Sequence, residues 1–434
     1  MTHRRFMHSL RSSLTLDSSA RAGRYIPMII ATALVAPSPA LVGGSPLGLL
    51  SPLALIVLAF QSQRRFARLG RVFSGRTDGL SLHLVGVVIA GILVAFSSLF
   101  EPIPDNISRF IAKMILLVAV FFFALLYSRE SEESRAAIGR GIVLGAAAAA
   151  AIAIFASVTS TSFFGEPLRP NREFVLPLPL PKTTGLPHSF GEVGVIFGLG
   201  IAFLPTVNRR SYRIFSFLVL FGGFMVGQSR NMLTVLAAIL VVSFLGRRVT
   251  KLRAAAALVG LVALASPIVI SATLAQTPFL AESLVGEGVF ATNVEARLSL
   301  VDQVEDLNAT YPVLNRFFGA DRPQWVLVNE FSPHNHFVSL GVLDGYAGIA
   351  VIFTWFLLPA LKAARLNGGL SSPEFQGFVA AVVGLSFYEG SFSAAVAIAI
   401  ALLLGALRTD ARTAANVDPT GLMFGDAASV GGRS

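Results

Sequence analysis

A bundle of about twelve membrane-spanning helices is the fold expected of this chain, and three features of its sequence carry that expectation. Of its 434 residues, 54% are hydrophobic and only 13% are charged, where a soluble domain is nearer one quarter charged. The mean hydropathy is +0.71, and apolar runs of about 15 to 22 residues, long enough to cross a bilayer, recur along the whole length. Between these runs the cationic residues collect in alternate short loops, which is how membrane topology is written into a sequence.

The formal net charge of +10 invites a nucleic-acid reading, but the distribution of the charge argues against one. About 25 of the 34 Lys and Arg residues fall on the side expected to be cytoplasmic, as the positive-inside rule requires. With no cysteine in the chain, disulfide and thiolate chemistry do not arise.

Residues 1–25 form a basic tail with Arg4, Arg5, Arg11, Arg21 and Arg24, expected on the inner side. The membrane domain is expected over 26–407. Its first two spans are short: one begins at Tyr25 and ends near Pro37 and Pro39, and the second covers Pro46 to Phe60. Arg64, Arg65, Arg68, Arg71 and Arg76 mark the inside, and spans follow over 80–100 and 109–127. A mixed-charge loop is expected over 128–140, with an alanine-rich span from Gly141 to Thr159.

The outer loop 160–189 carries Pro167, Pro170, Pro177, Pro179, Pro181 and Pro187. It is expected to be an ordered irregular cap, since proline suits neither a helix interior nor a central strand. Spans are then expected over 191–206, 214–228, 232–245 and 254–272, with arginine-marked inner loops between them. The largest outer loop, 273–336, separates spans nine and ten and holds an amphipathic helix over 293–308. The last spans are 337–358, 375–388 and 392–407, and a disordered cytoplasmic tail is expected over 408–434.

Candidate chemistry collects on the outer face. Ser332-Pro333-His334-Asn335-His336 stands where the largest loop meets a span, and Gly345 and Gly348 follow on one side of that helix, where small residues permit close packing. A histidine in that position can act as a general base near neutral pH, or it can satisfy backbone groups at the loop–helix junction. Arg230 lies in a tight turn between two apolar runs. It can snorkel to lipid headgroups, or it can bind a phosphate through its planar fork. Arg172 in the proline-rich loop and Arg297 in the largest loop add two more outer-face cations. Glu192, Asp302, Glu330 and Asp344 are carboxylates that compete for the base role. There is no Walker-type phosphate loop, no His-Glu-x-x-His and no outer Asp-x-Asp, so no metal or cofactor is expected, and arginines would have to supply the positive charge at a phosphate site.

His334-Asn335, nine residues, then Gly345-Tyr346-Ala347-Gly348 resembles the signature of the O-antigen ligase and O-antigen polymerase superfamily of bacterial membrane proteins. Ser229-Arg230 opening a span resembles that family's Ser-Arg element, and Arg297 is placed like its second essential arginine. The resemblance implies a C-type glycosyltransferase-like fold in the bacterial inner membrane, acting at the periplasmic face on a polyprenyl-pyrophosphate-linked glycan. It further implies that His334 activates the acceptor hydroxyl, while Arg230 and Arg297 hold the pyrophosphate as it leaves, inverting the anomeric centre without a metal. Arg172, Asn335 and His336 are added as substrate-binding candidates.

The expected function is therefore a glycan transferase, with polymerisation of polysaccharide repeat units ahead of ligation to a lipid A core or a protein. Expected partners are the lipid-linked donor, a saccharide or lipid-linked acceptor, the bilayer, and a chain-length regulator. A flippase for the same lipid-linked sugar is the competing class. It would place ionisable residues within the spans, and here those stretches are almost purely apolar. A non-catalytic scaffold would leave the outer arginines unexplained.

Overall fold

The computed structural model describes residues 132–161, 190–227, 230–246, 352–363, 371–386 and 394–416, together with Phe121, Ala124, Leu125, Ser128, Leu180, Pro181, Thr183, Tyr346 and Ala350. Among the described residues every regular element is helical, and there is no strand. The basic tail, the first four spans apart from the four residues named from Phe121 to Ser128, the span at 254–272 and the largest loop all lie outside the described residues.

Helix α1 covers Glu132–Thr159. It starts well before the expected Gly141, because Glu132 and Glu133 occupy its first turn, where negative charge complements the free N–H groups and the helix dipole. At 28 residues it is about 42 Å long, against about 30 Å of hydrocarbon in a bilayer. Among the described residues it is the one helix both long and apolar enough to cross a membrane. Its inward face is built of small residues, including Ala146, Ala149, Ala150 and Ala153, while Leu144, Phe155 and Val158 point outward.

The end of α1 is a closed cap. Ser160 N–H donates to the Ser157 carbonyl and Thr161 N–H to the Ala156 carbonyl, the paired bonds of a Schellman motif. The motif needs a left-handed residue, and Ser160 takes that role with φ of 51°, a conformation that glycine adopts without steric cost.

Helix α2, Phe190–Ala202, is the centre of the bundle. A 3₁₀ turn at Leu204–Thr206, helped by Pro205 at its start, ends the segment. Helix α3 then runs over Arg210–Gly227 and α4 over Arg230–Gly246. A π-helical stretch, Ile352–Leu357, leads into the short α5, Leu358–Ala363. Pro359 explains the π geometry. It has no N–H for the Trp355 carbonyl and crowds it, so the first donor beyond is at Ala360, five residues on, which is π spacing. This helical segment runs past the expected end at Leu358 and takes in Lys362.

Helix α6, Pro373–Ser386, has a complete N-terminal signal. The Ser372 hydroxyl accepts from Phe375 N–H at 3.2 Å, with Pro373 and Glu374 in the first turn, as caps of this kind require. Helix α7, Ala394–Asn416, is buried on every side from Ala395 to Leu407. It continues to Asn416, so the start of the tail expected to lack order is helical.

Glycines on α2 set the packing. A β-carbon on Gly194 would lie 3.2 Å from the Met232 Cα, and one on Gly198 would lie 2.7 Å from Val235, 3.0 Å from Ala380 and 3.1 Å from Ile239. One on Gly200 would meet Ala146 at 2.8 Å and Leu220 at 3.0 Å. These pairs also fix direction. Residue numbers rise together along α2 and α4, so these two are parallel. Gly377 lies against Leu199 and Phe203 while Ala380 lies against Gly198, so α6 runs opposite to α2. Gly200 brings Ala146 and Leu220 to one level and Gly223 lies on Ala150, so residue numbers rise together along α1 and α3 and these two are parallel. Phe197 and Phe224 meet edge to face at 5.5 Å in the middle. The alternation of helix directions expected from the apolar runs is therefore present through α1, α2, α3, α4 and α6.

Two stability predictions follow from this packing. Ser160→Gly relieves the left-handed strain and is expected to stabilise the purified protein by about 1 kcal/mol in a thermal unfolding assay. Gly198→Ala gains about 0.5–1 kcal/mol of helix propensity but meets three buried side chains, at a cost of about 1–3 kcal/mol. A net loss of stability is expected, and a gain would show that α4 and α6 can move apart.

Candidate functional site

One end of the bundle collects the last residues of α1, α3 and α6 and the first residues of α2 and α4. That is where sequence reasoning expected the chemistry. Pro181 of the proline-rich segment is tied to this end. The Ser157 hydroxyl donates to the Pro181 carbonyl at 2.7 Å, and Thr183 is buried. At Leu180, Pro181 and Thr183 the chain is neither helix nor strand, as expected of an irregular cap. Ser157 was not singled out from sequence, where it reads as one polar residue in an apolar run.

Arg230 is the first residue of α4, three residues beyond the end of α3, so the helix takes in two residues expected in the turn at 229–231. Four backbone N–H groups at a helix start lack intrahelical acceptors, and the dipole adds partial positive charge there. Glu192 stands in the first turn of the parallel helix α2 and is half-buried. The Gly194–Met232 contact brings the two helix starts level.

Helical register decides how these two residues relate. Each lies two positions before the contact pair, a rotation of about 200° on a helix with 3.6 residues per turn. The α-carbons of Arg230 and Glu192 therefore lie on the far sides of their helices from the α2–α4 seam, and further along α4 Ala237, Val241 and Phe244 form an exposed stripe.

Of the other candidates, His334, Arg297, Arg172, Asn335, His336, Gly345 and Gly348 lie outside the described residues. Tyr346, between the two glycines, is helical and exposed, and Ala350 is helical one turn later, its carbonyl accepting from the Thr354 hydroxyl at 2.7 Å. The described residues place the starts of α2 and α4, with Glu192 and Arg230, and the Ser157–Pro181 tie at one end of the bundle. Compared with known proteins, the chain matches no family model and no curated protein, so a function is to be assigned from its own residues.

Proposed function

We propose that this chain is a multi-pass bacterial inner-membrane glycan transferase that takes polyprenyl-pyrophosphate-linked saccharide at the periplasmic face and polymerises polysaccharide repeat units. The observation that carries the reading is the pairing of His334-Asn335-x9-Gly345-x-x-Gly348 with a Ser229-Arg230 element whose arginine opens a helix. The membrane assignment draws support from α1 and from the large apolar side chains on the outside of the bundle. Leu144, Phe155, Ile214, Phe215, Leu218, Leu240, Val241 and Phe244 are all exposed, and an apolar surface of that extent needs lipid or a partner to cover it.

The exposed apolar stripe of α4, through Ala237, Val241 and Phe244, suits a substrate that arrives from the bilayer. A polyprenyl tail can lie along the apolar stripe of α4 while its pyrophosphate reaches the guanidinium at the head. In the reaction, His334 takes the proton of the acceptor hydroxyl as its oxygen attacks the anomeric carbon. The bond from that carbon to the pyrophosphate oxygen breaks with inversion, and Arg230 and Arg297 stabilise the charge that develops on the leaving group. The base, the nucleophile and the leaving group account for every proton and electron pair, and no metal or cofactor enters the step.

Ligation of a finished glycan to a lipid A core or a protein uses the same chemistry on a different acceptor, and one experiment separates the two. In a deletion strain complemented with His334→Ala, loss of long polymer with single repeats left on carrier or core is expected for a polymerase. Long polymer stranded on its polyprenyl carrier would mean a ligase, and wild-type polymer would remove His334 from the mechanism. Arg230→Lys is expected to impair activity nearly as severely as Arg230→Ala, because an ammonium cannot reproduce the bidentate fork. Full activity with lysine in an assay of polymer length would show that charge alone suffices.

A further inference from the structure

The opposite end of the bundle from Arg230 carries a second collection of cations. Arg135 and Arg140 stand near the start of α1, and Arg209, Arg210 and Arg213 stand at the start of α3. These two helices are parallel, with Gly223 on Ala150. Counting back along both from that contact brings Arg140 level with Arg213 and Arg135 level with the link after Thr206. Gly139 lies against Thr206, where a β-carbon would come within 2.9 Å. Arg135 is four residues earlier on the same stripe, so it flanks that link.

Two of these arginines have work within the protein. Arg213 donates Nη2–H to the Val207 carbonyl at 2.8 Å, and Arg209 lies 5.6 Å from the centre of the Tyr212 ring. Arg135 and Arg140 differ, since each keeps a buried Nε with no hydrogen-bond partner. The carboxylates of this layer, Glu132 and Glu133, are exposed. Nε is sealed inside the protein on each, so it is the Nη groups of the two guanidiniums that can meet the several acceptor oxygens of a phosphate.

Just past this basic layer the surface becomes apolar. Leu144 on α1 and Ile214, Phe215 and Leu218 on α3 are each at least half exposed, and Tyr212 stands between the two zones with its ring outward. Counted back from Thr159, a run of about 20 residues fills the hydrocarbon and ends at Arg140. Arg135 then falls in the headgroup layer. Inorganic phosphate would meet the arginines but leave the apolar face uncovered, whereas a lipid with an anionic head meets both.

We propose that Arg135 and Arg140 bind the phosphate of an anionic phospholipid whose acyl chains lie along the exposed face of α3. Basic sites between helices at the cytoplasmic side of a membrane are suited to such lipids. The proposal rests on the chain spanning a membrane and is independent of the transferase reading.

The test uses the full-length protein in a neutral detergent, with its unfolding midpoint followed against added dioleoyl-phosphatidylglycerol, dioleoyl-phosphatidylcholine or inorganic phosphate. Phosphatidylglycerol is expected to raise the midpoint in a saturable way, and the other two are expected to leave it unchanged. The double variant Arg135→Gln/Arg140→Gln is expected to need about tenfold more phosphatidylglycerol for the same rise. Should that variant fail to fold, Arg140→Lys keeps the charge and is expected to weaken the response through loss of the planar fork. Equal responses to both lipids, or a variant that responds as wild type does, would overturn the site. The same rise with inorganic phosphate would overturn the lipid assignment. A chain that stays in solution without detergent would overturn the membrane reading, and this site with it.

Discussion

The enclosure of α2 is the constraint on which the rest of the described structure depends. From Val193 to Phe203 its side chains are almost fully buried, and its glycines touch α1, α3, α4 and α6 at separate points. Each contact exchanges a side chain for a close approach between helices, which increases the dispersion contact available to both partners. Because the glycines sit at set intervals, they fix the height of each neighbour as well as its distance. Gly194 and Gly198 hold α4 in register, Gly198 also receives α6, and Gly200 lies between α1 and α3. The level of Arg230 beside Glu192, and that of Arg140 beside Arg213, both follow from this.

Around this centre the bundle divides its surface by chemistry. Small and aromatic residues face inward, including the Phe197–Phe224 pair and the tilted Phe356–Phe378 contact, while large aliphatic and aromatic residues also face outward on α1, α3 and α4. In water that outward surface would be unfavourable by the same effect that favours the core. In a bilayer it costs nothing, and helix association then depends on packing. The glycine contacts and the exposed phenylalanines are therefore two parts of one solution, and both agree with the membrane reading.

Sequence reasoning and the structure differ most at helix ends. An apolar run marks where a helix can be buried, but the helix itself stops where its terminal backbone groups find partners. Glu132 and Glu133 move the start of α1 back into what read as a charged loop, and α7 carries on past Leu407 into a polar tail. Ser372, Pro373 and Glu374 show the opposite case, where a local cap signal in the sequence coincides with the observed start of α6.

Among the described residues, which segments are helical is legible in the chain itself, because the length of an apolar run and the identity of a capping residue are local properties. The tight turn expected at 229–231 is legible in the same way, although α4 begins within it, at Arg230. Packing alone sets the tie between Ser157 and Pro181, the common level of the α2 and α4 starts, and the height of Arg140 beside Arg213. Those relations depend on which glycine receives which neighbour. A single helix carries no information about the rotation and height of another, so such facts appear only once the helices are packed.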